Sequence, residues 1–109
     1  MKPSTHNLRV IFAERNGAIY GFVVTGHAGY GDEGNDIVCS AVSSAVMLVC
    51  NTVTDFFKAD ADVAVGENRI ELRLNSSDRP SEALLRSFHA HMQGIAEYYP
   101  GVKVELREA

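Results

Sequence analysis

Cysteine is scarce in this 109-residue chain, with two thiols, Cys39 and Cys50. Two cysteines cannot make a disulfide framework. If both sit on one helix, their spacing of eleven residues puts them on nearly the same face but about 16 Å apart along the axis, too far to bridge. Basic residues are also in short supply: ten Lys and Arg stand against fourteen Asp and Glu, a net charge of −4. That balance argues against nucleic acid as a direct partner, because phosphate binding relies on clustered Lys and Arg, and it suits a basic partner instead. No stretch reads as about eighteen uncharged apolar residues, so no membrane partner is expected, and the first residues lack a signal-peptide core. The expected compartment is therefore the cytoplasm. Internal repeats, low-complexity segments and linkers are missing as well.

What remains is an ordinary globular composition, 46% hydrophobic and 22% charged. A chain of this length buries about two-thirds of its unfolded surface in one core. The expectation is a single domain over residues 1–109, with no need of a disulfide, metal or cofactor to fold.

Glycine, by contrast, is concentrated. Four of nine glycines fall within Gly26-His27-Ala28-Gly29-Tyr30-Gly31-Asp32-Glu33-Gly34-Asn35-Asp36-Ile37-Val38-Cys39. Glycine clusters cost backbone entropy on folding, so such a segment points to unusual dihedrals, close approach to a ligand, or a movable cover. If Asp36 caps the helix that follows, Cys39 falls at its third position. There, unpaired N–H groups and the helix dipole favour an anion and bias the thiol toward thiolate. His27 is the base near in sequence, at the end of a strand and joined to Cys39 by a glycine-rich connector. A cysteine near the start of an apolar helix is more often simple packing. The conjunction of His, glycine loop and first-turn Cys is what nucleophilic catalysis requires. Asp36 reads either as a cap or as the group that orients His27. Ser43, one turn beyond Cys39, reads equally as a hydrogen-bonding partner or as a small packing residue.

Other patterns carry less. Gly29, Gly31 and Gly34 fit G-x-G-x-x-G, but Asp32 and Glu33 would sit in the phosphate cradle and the preceding element is a hairpin. His89 and His91 lie two apart on a helix, on different sides, and cannot chelate one metal together. The spacing assigns His89 to the solvated face with Arg86, and His91 to the edge of the apolar stripe. His6 lies in a patternless start.

In chain order, Leu8, Val10 and Phe12 alternate along a strand. Asn16-Gly17 predicts a two-residue type I′ turn, and a return strand over residues 18–25 delivers His27. Residues 36 to about 58 contain no Pro or Gly and read as a helix apolar nearly all round in its first half, covered on more than one side. Its small residues, Ser40, Ala41, Ser43, Ser44 and Ala45, admit a second helix or a partner subunit. Two alternating strands, Ala61/Val63/Val65 and Ile70/Leu72/Leu74, join through Gly66-Glu67-Asn68. A second helix runs from the turn at Ser76 to Pro80 to about Tyr99, where Pro100-Gly101 stops it. Val102, Val104 and Leu106 make a last strand. The expected fold is α+β, a small, mainly antiparallel sheet packed with two helices in the order ββαββαβ.

Gly26-His27-Ala28-Gly29-Tyr30, then Gly34, then Asp36-Ile37-Val38-Cys39 and Ala41-Val42-Ser43 resemble the signature of the ribosomal-processing cysteine protease family, Prp. Ser40 stands where the family pattern has Ala. The resemblance implies a homodimeric cytoplasmic cysteine endopeptidase that removes an N-terminal extension from a bacterial large-subunit ribosomal protein, the twenty-seventh. It implies Cys39 as nucleophile and His27 as general base, with Asp36 and Ser43 in support. Gly26, Gly29, Tyr30, Gly31 and Gly34 would belong to the loop that admits the peptide. The competing reading is a non-catalytic, ribosome-associated dimer whose glycine loop grips a peptide and whose Cys39 is merely packed.

Overall fold

The computed structural model describes residues 8–26 and 37–108. The elements follow the expected ββαββαβ order. They are β1 (Leu8–Arg15), β2 (Ala18–Thr25), α1 (Ile37–Asn51), β3 (Ala61–Gly66), β4 (Arg69–Leu74), α2 (Arg79–Tyr98) and β5 (Val102–Glu108). The five strands form one sheet in the order β3-β4-β2-β1-β5, with only the β1–β5 pair parallel. At the first hairpin Asn16 and Gly17 both take positive φ, +53° and +82°, the dihedrals a two-residue type I′ turn demands. β2 is the central strand of the sheet, not an edge.

Strict alternation along the strands puts Leu8, Val10, Phe12, Phe22, Leu72, Leu74 and Val102 on one face, where all are buried. On β2 the alternation breaks once. Between the pairs Ala13↔Gly21 and Glu14↔Ile19 the register shifts, leaving Tyr20 as an extra residue. The bulge lets Ile19 and Phe22, three apart, both face inward. Phe88 meets Phe12 and Phe22 edge to face, with ring centroids 5.5 and 5.1 Å apart, a favourable quadrupole arrangement, while Phe12 and Phe22 are tilted against each other at 6.0 Å. Gly21 sits where β2 and β4 crowd: a Cβ there would lie 2.5 Å from the Leu72 carbonyl oxygen.

α1 commits one stripe to this core, Val38, Val42, Val46 and Val49, which Val53 extends into the turn that follows. Each buried valine contributes about 1.5 kcal/mol or more. The helix is expected to be covered on more than one side, and within one chain its outer side is open. Ile37, Ala41, Ser44 and Leu48 recur at helical spacing on the outer side, and Ile37 and Leu48 are 79% and 67% exposed. The last stretch is not α-helical either. Thr52–Phe56 forms a π-helical turn in which the Phe57 N–H donates to the Thr52 carbonyl at 2.9 Å. Thr52 Oγ1 and Thr54 Oγ1 also donate to the carbonyls of Leu48 and Cys50, the back-bonding that loosens an α-helical ladder. Lys58, at φ +51°, ends the run, with the Ala59 N–H returning to the Val53 carbonyl. By length and composition alone Ile37–Phe56 could cross a membrane, contrary to the sequence expectation. Its valine stripe, however, is packed on the sheet.

α2 begins at a capped end. Asp78 accepts from the Ser81 N–H at 3.1 Å and from the buried Ser81 hydroxyl, while Glu82 Oε2 accepts from the Asp78 N–H at 3.0 Å. Leu85, Phe88 and Met92 form the buried stripe. The two histidines exchange the positions expected of them. His89 packs edge-on against Phe12, with centroids 4.9 Å apart, and its pKa is lowered by burial and by Arg86, against a smaller opposing effect of Glu14. His91 is exposed. The two flank the stripe on opposite sides, and helical spacing alone does not say which flank the sheet covers.

Candidate active site

Cys39 occupies the third residue of α1 as described, inside its first turn, and is half-buried. One and two turns further along, Val42, Ser43 and Val46 continue the same side of the helix. These four residues line a cavity of about 220 Å³ whose opposite wall is built by the sheet. Leu8 and Val24 supply that wall from β1 and β2, and Ile70 from β4. Val65, Gly66, Asn68 and Arg69 form the rim contributed by the β3–β4 hairpin.

The hairpin also fixes the end of β2. Gly26, which lines the same cavity, has φ +84°, and its N–H donates to the Asn68 carbonyl at 3.2 Å. Asn68 itself takes φ +56°, a left-handed conformation that Asn tolerates better than most residues. Two left-handed residues thus clasp each other where the chain leaves the central strand, and His27 is the next residue. The lining is mainly apolar, and Arg69 is the one charged residue among the described ones. Such a concave site suits an apolar peptide side chain, with Cys39 and Ser43 presented from the helix side.

Of the residues expected from sequence, Gly26, Cys39 and Ser43 meet in this cavity. His27, Gly29, Tyr30, Gly31, Gly34 and Asp36 lie outside the described residues. Sequence reasoning missed Asn68, Arg69, Val65, Leu8 and Val24. The Gly66-Glu67-Asn68 turn was legible as a turn, but its place beside Gly26 depends on β4 pairing with β2.

The second thiol lies apart. Cys50 is buried on the core side of α1, and burial pushes its pKa up to about 11. The two cysteines are not joined in a disulfide. A group so reluctant to ionise is a packing residue.

The family model for the cysteine protease Prp matches residues 8–103. The chain belongs to the cysteine protease Prp family. It is therefore a cysteine protease, a hydrolase. Solved structures agree on the fold. The essential ribosomal processing protease Prp from S. aureus, in complex with a covalently linked product peptide, superposes with a TM-score of 0.85 at 19% identity. That match covers 92% of this chain and 99% of the other. The same S. aureus protease with a substrate peptide gives 0.76 at 19% identity, over 94% and 99% of the two chains. SMU.848 from Streptococcus mutans gives 0.83 at 26% identity, over 95% and 97%. No curated protein matches the sequence.

Proposed function

We propose that this Prp-family protease is a ribosomal-processing endopeptidase, a single domain over residues 1–109 that removes the N-terminal extension of the twenty-seventh large-subunit ribosomal protein in the cytoplasm. The observation that carries the reading is Cys39 in the first turn of α1, lining the cavity that Gly26 also lines, one residue before His27. The S. aureus relatives, described as a ribosomal processing protease with product and substrate peptides, support the substrate class.

In this mechanism His27 takes the Cys39 thiol proton and the thiolate attacks the scissile carbonyl carbon. N–H groups at the start of α1 donate to the oxyanion. Collapse breaks the C–N bond, and His27 passes its proton to the leaving amine. Water, deprotonated by His27, then attacks the thioester, releasing the extension as a carboxylate and restoring the thiol. Asp36 orients His27, and Ser43 donates a hydrogen bond to the peptide beside the cavity. The glycine-rich loop with Gly29, Tyr30, Gly31 and Gly34 opens to admit the peptide. The net charge of −4 suits the basic body of a ribosomal protein.

The active protein is a homodimer that buries the outer stripe of α1. That stripe is apolar, contains the small residues Ala41 and Ser44, and belongs to a helix with no charged residue, a surface suited to close approach of a second copy. The test is cleavage of the extended ribosomal protein followed by mass spectrometry. Parent and Cys50→Ala should cut once and equally, while folded Cys39→Ala and His27→Ala should not cut. A folded Cys39→Ala that still cuts would sink the assignment and favour a non-catalytic peptide binder.

A further inference from the structure

The face of the sheet turned away from the helices has a charge unlike that of the whole chain. Strand register arranges its outward residues in three rows. The first runs Lys103, Arg9, Thr25, Arg69 across β5, β1, β2 and β4. The second runs Glu105, Ile11, Val23, Glu71, and the third Arg107, Ala13, Gly21, Arg73, with Asp62 beyond on β3. Arg15, further along β1, lays its guanidinium 4.5 Å from the centroid of the Tyr20 ring. Among the described residues, six of nine Lys and Arg therefore lie on this face, against three of eleven Asp and Glu. The face is net positive while the rest of the chain is strongly negative.

Two of the three acids on it are paired. Glu105 lies between Arg9 at 3.4 Å and Arg107 at 2.9 Å, and Glu71 pairs with Arg69 at 3.1 Å. These pairs hold the arginines extended across the sheet, and the positive charge still exceeds the negative by three. Outer basic rows four residues apart stand about 13 Å from each other. Between them the middle row is aliphatic at its centre, Ile11 and Val23, with Glu105 and Glu71 at its ends.

We infer that this sheet face, which none of the described elements covers, docks the protease on double-helical RNA through its phosphate backbone. A basic surface repels a basic ribosomal protein, so it does not serve the substrate's body. The anionic neighbour of such a substrate is RNA, and this choice among polyanions rests on the ribosomal substrate proposed above. Apart from Tyr20, whose ring lies under the Arg15 guanidinium, the described residues of this face offer no aromatic platform for stacking unpaired bases, which favours contacts to a duplex backbone over single strands. The whole-chain charge of −4 hides the surface, because averaging over residues discards their segregation between the two sides of the sheet.

The test is a fluorescence-anisotropy titration of the full chain with a 20-base-pair RNA duplex at several salt concentrations. The variants are Arg73→Gln with Lys103→Gln, and as control Lys58→Asn with Arg79→Gln, which removes the same charge elsewhere. Arg69 is left intact because it also rims the cavity. The expected result is salt-dependent binding by the parent. The sheet-face double variant should bind about tenfold or more weaker at low salt, and its log–log salt slope should fall by about one per lost contact. The control double variant should bind as the parent does. Peptide cleavage by both should match the parent, so a failure of the protease reading shows up separately from a failure of docking. Absence of duplex binding at low salt overturns the inference. So does equal weakening by the control pair, preference for single-stranded RNA, or binding only to phosphatidylglycerol vesicles.

Discussion

The two thiols of α1 provide an internal comparison within one molecule. Burial raises the Cys50 pKa from 9.0 to about 11. At pH 8 about one molecule in a thousand then carries a thiolate there, about a hundredfold fewer than for a thiol that titrates at 9.0. Cys50 is also 9% exposed, so an alkylating agent meets it only when the helix opens. Cys39 is half-buried and lines a cavity. Iodoacetamide labelling between about pH 6 and pH 9, resolved by peptide mass, should therefore modify Cys39 more than a hundredfold faster than Cys50. If the proposed pair operates, Cys39 labelling should level off near neutral pH, and His27→Ala should move that profile upward. The raised pKa also has a thermodynamic sign. The folded state holds the Cys50 proton more tightly than the unfolded chain, so this contribution is complete below about pH 9 and is lost as pH rises toward about 11. Urea midpoints across that range should fall more steeply for the parent than for Cys50→Ala. Comparable labelling of both thiols in the folded protein would refute the placement of Cys50. An ordinary thiol profile for Cys39, unchanged by His27→Ala in the presence of peptide, would refute the activated pair.

Two further outcomes follow from packing. Leu48→Arg places a charge in the middle of the exposed stripe of α1 without touching its buried valines; sedimentation should show the parent at about twice 11.9 kDa and the variant as a monomer, and a monomeric parent would overturn the dimer. Gly21→Ala forces a Cβ to 2.5 Å from a backbone oxygen on the neighbouring strand, so urea unfolding should show a loss of about 1–3 kcal/mol; an unchanged midpoint would contradict the β2–β4 approach.

Much of this protein is written locally. The positive dihedrals of Asn16 and Gly17, the capped start of α2, the alternation of β1, β3, β4 and β5 and the entry of Cys39 into a helix's first turn follow from residue type and spacing. Each is set by neighbours within a few residues, where propensity and periodicity act directly. The π-helical end of α1 escaped such reasoning, because hydrophobic spacing does not register one added residue per turn.

The rest depends on which distant segments become neighbours. Sequence determined a chain of five strands and two helices, and a Cys and a His at opposite ends of a glycine-rich connector. Tertiary structure decided that β4 lies beside β2, and therefore that the Asn68 carbonyl holds Gly26 and the β3–β4 turn walls the cavity of Cys39. It decided that His89, not His91, meets the sheet. It also decided that register aligns Lys103, Arg9 and Arg69 in one row, giving an acidic chain a basic face. Strand order and register are settled by burial of the shared apolar face across the whole sheet, and no local window of sequence contains that sum.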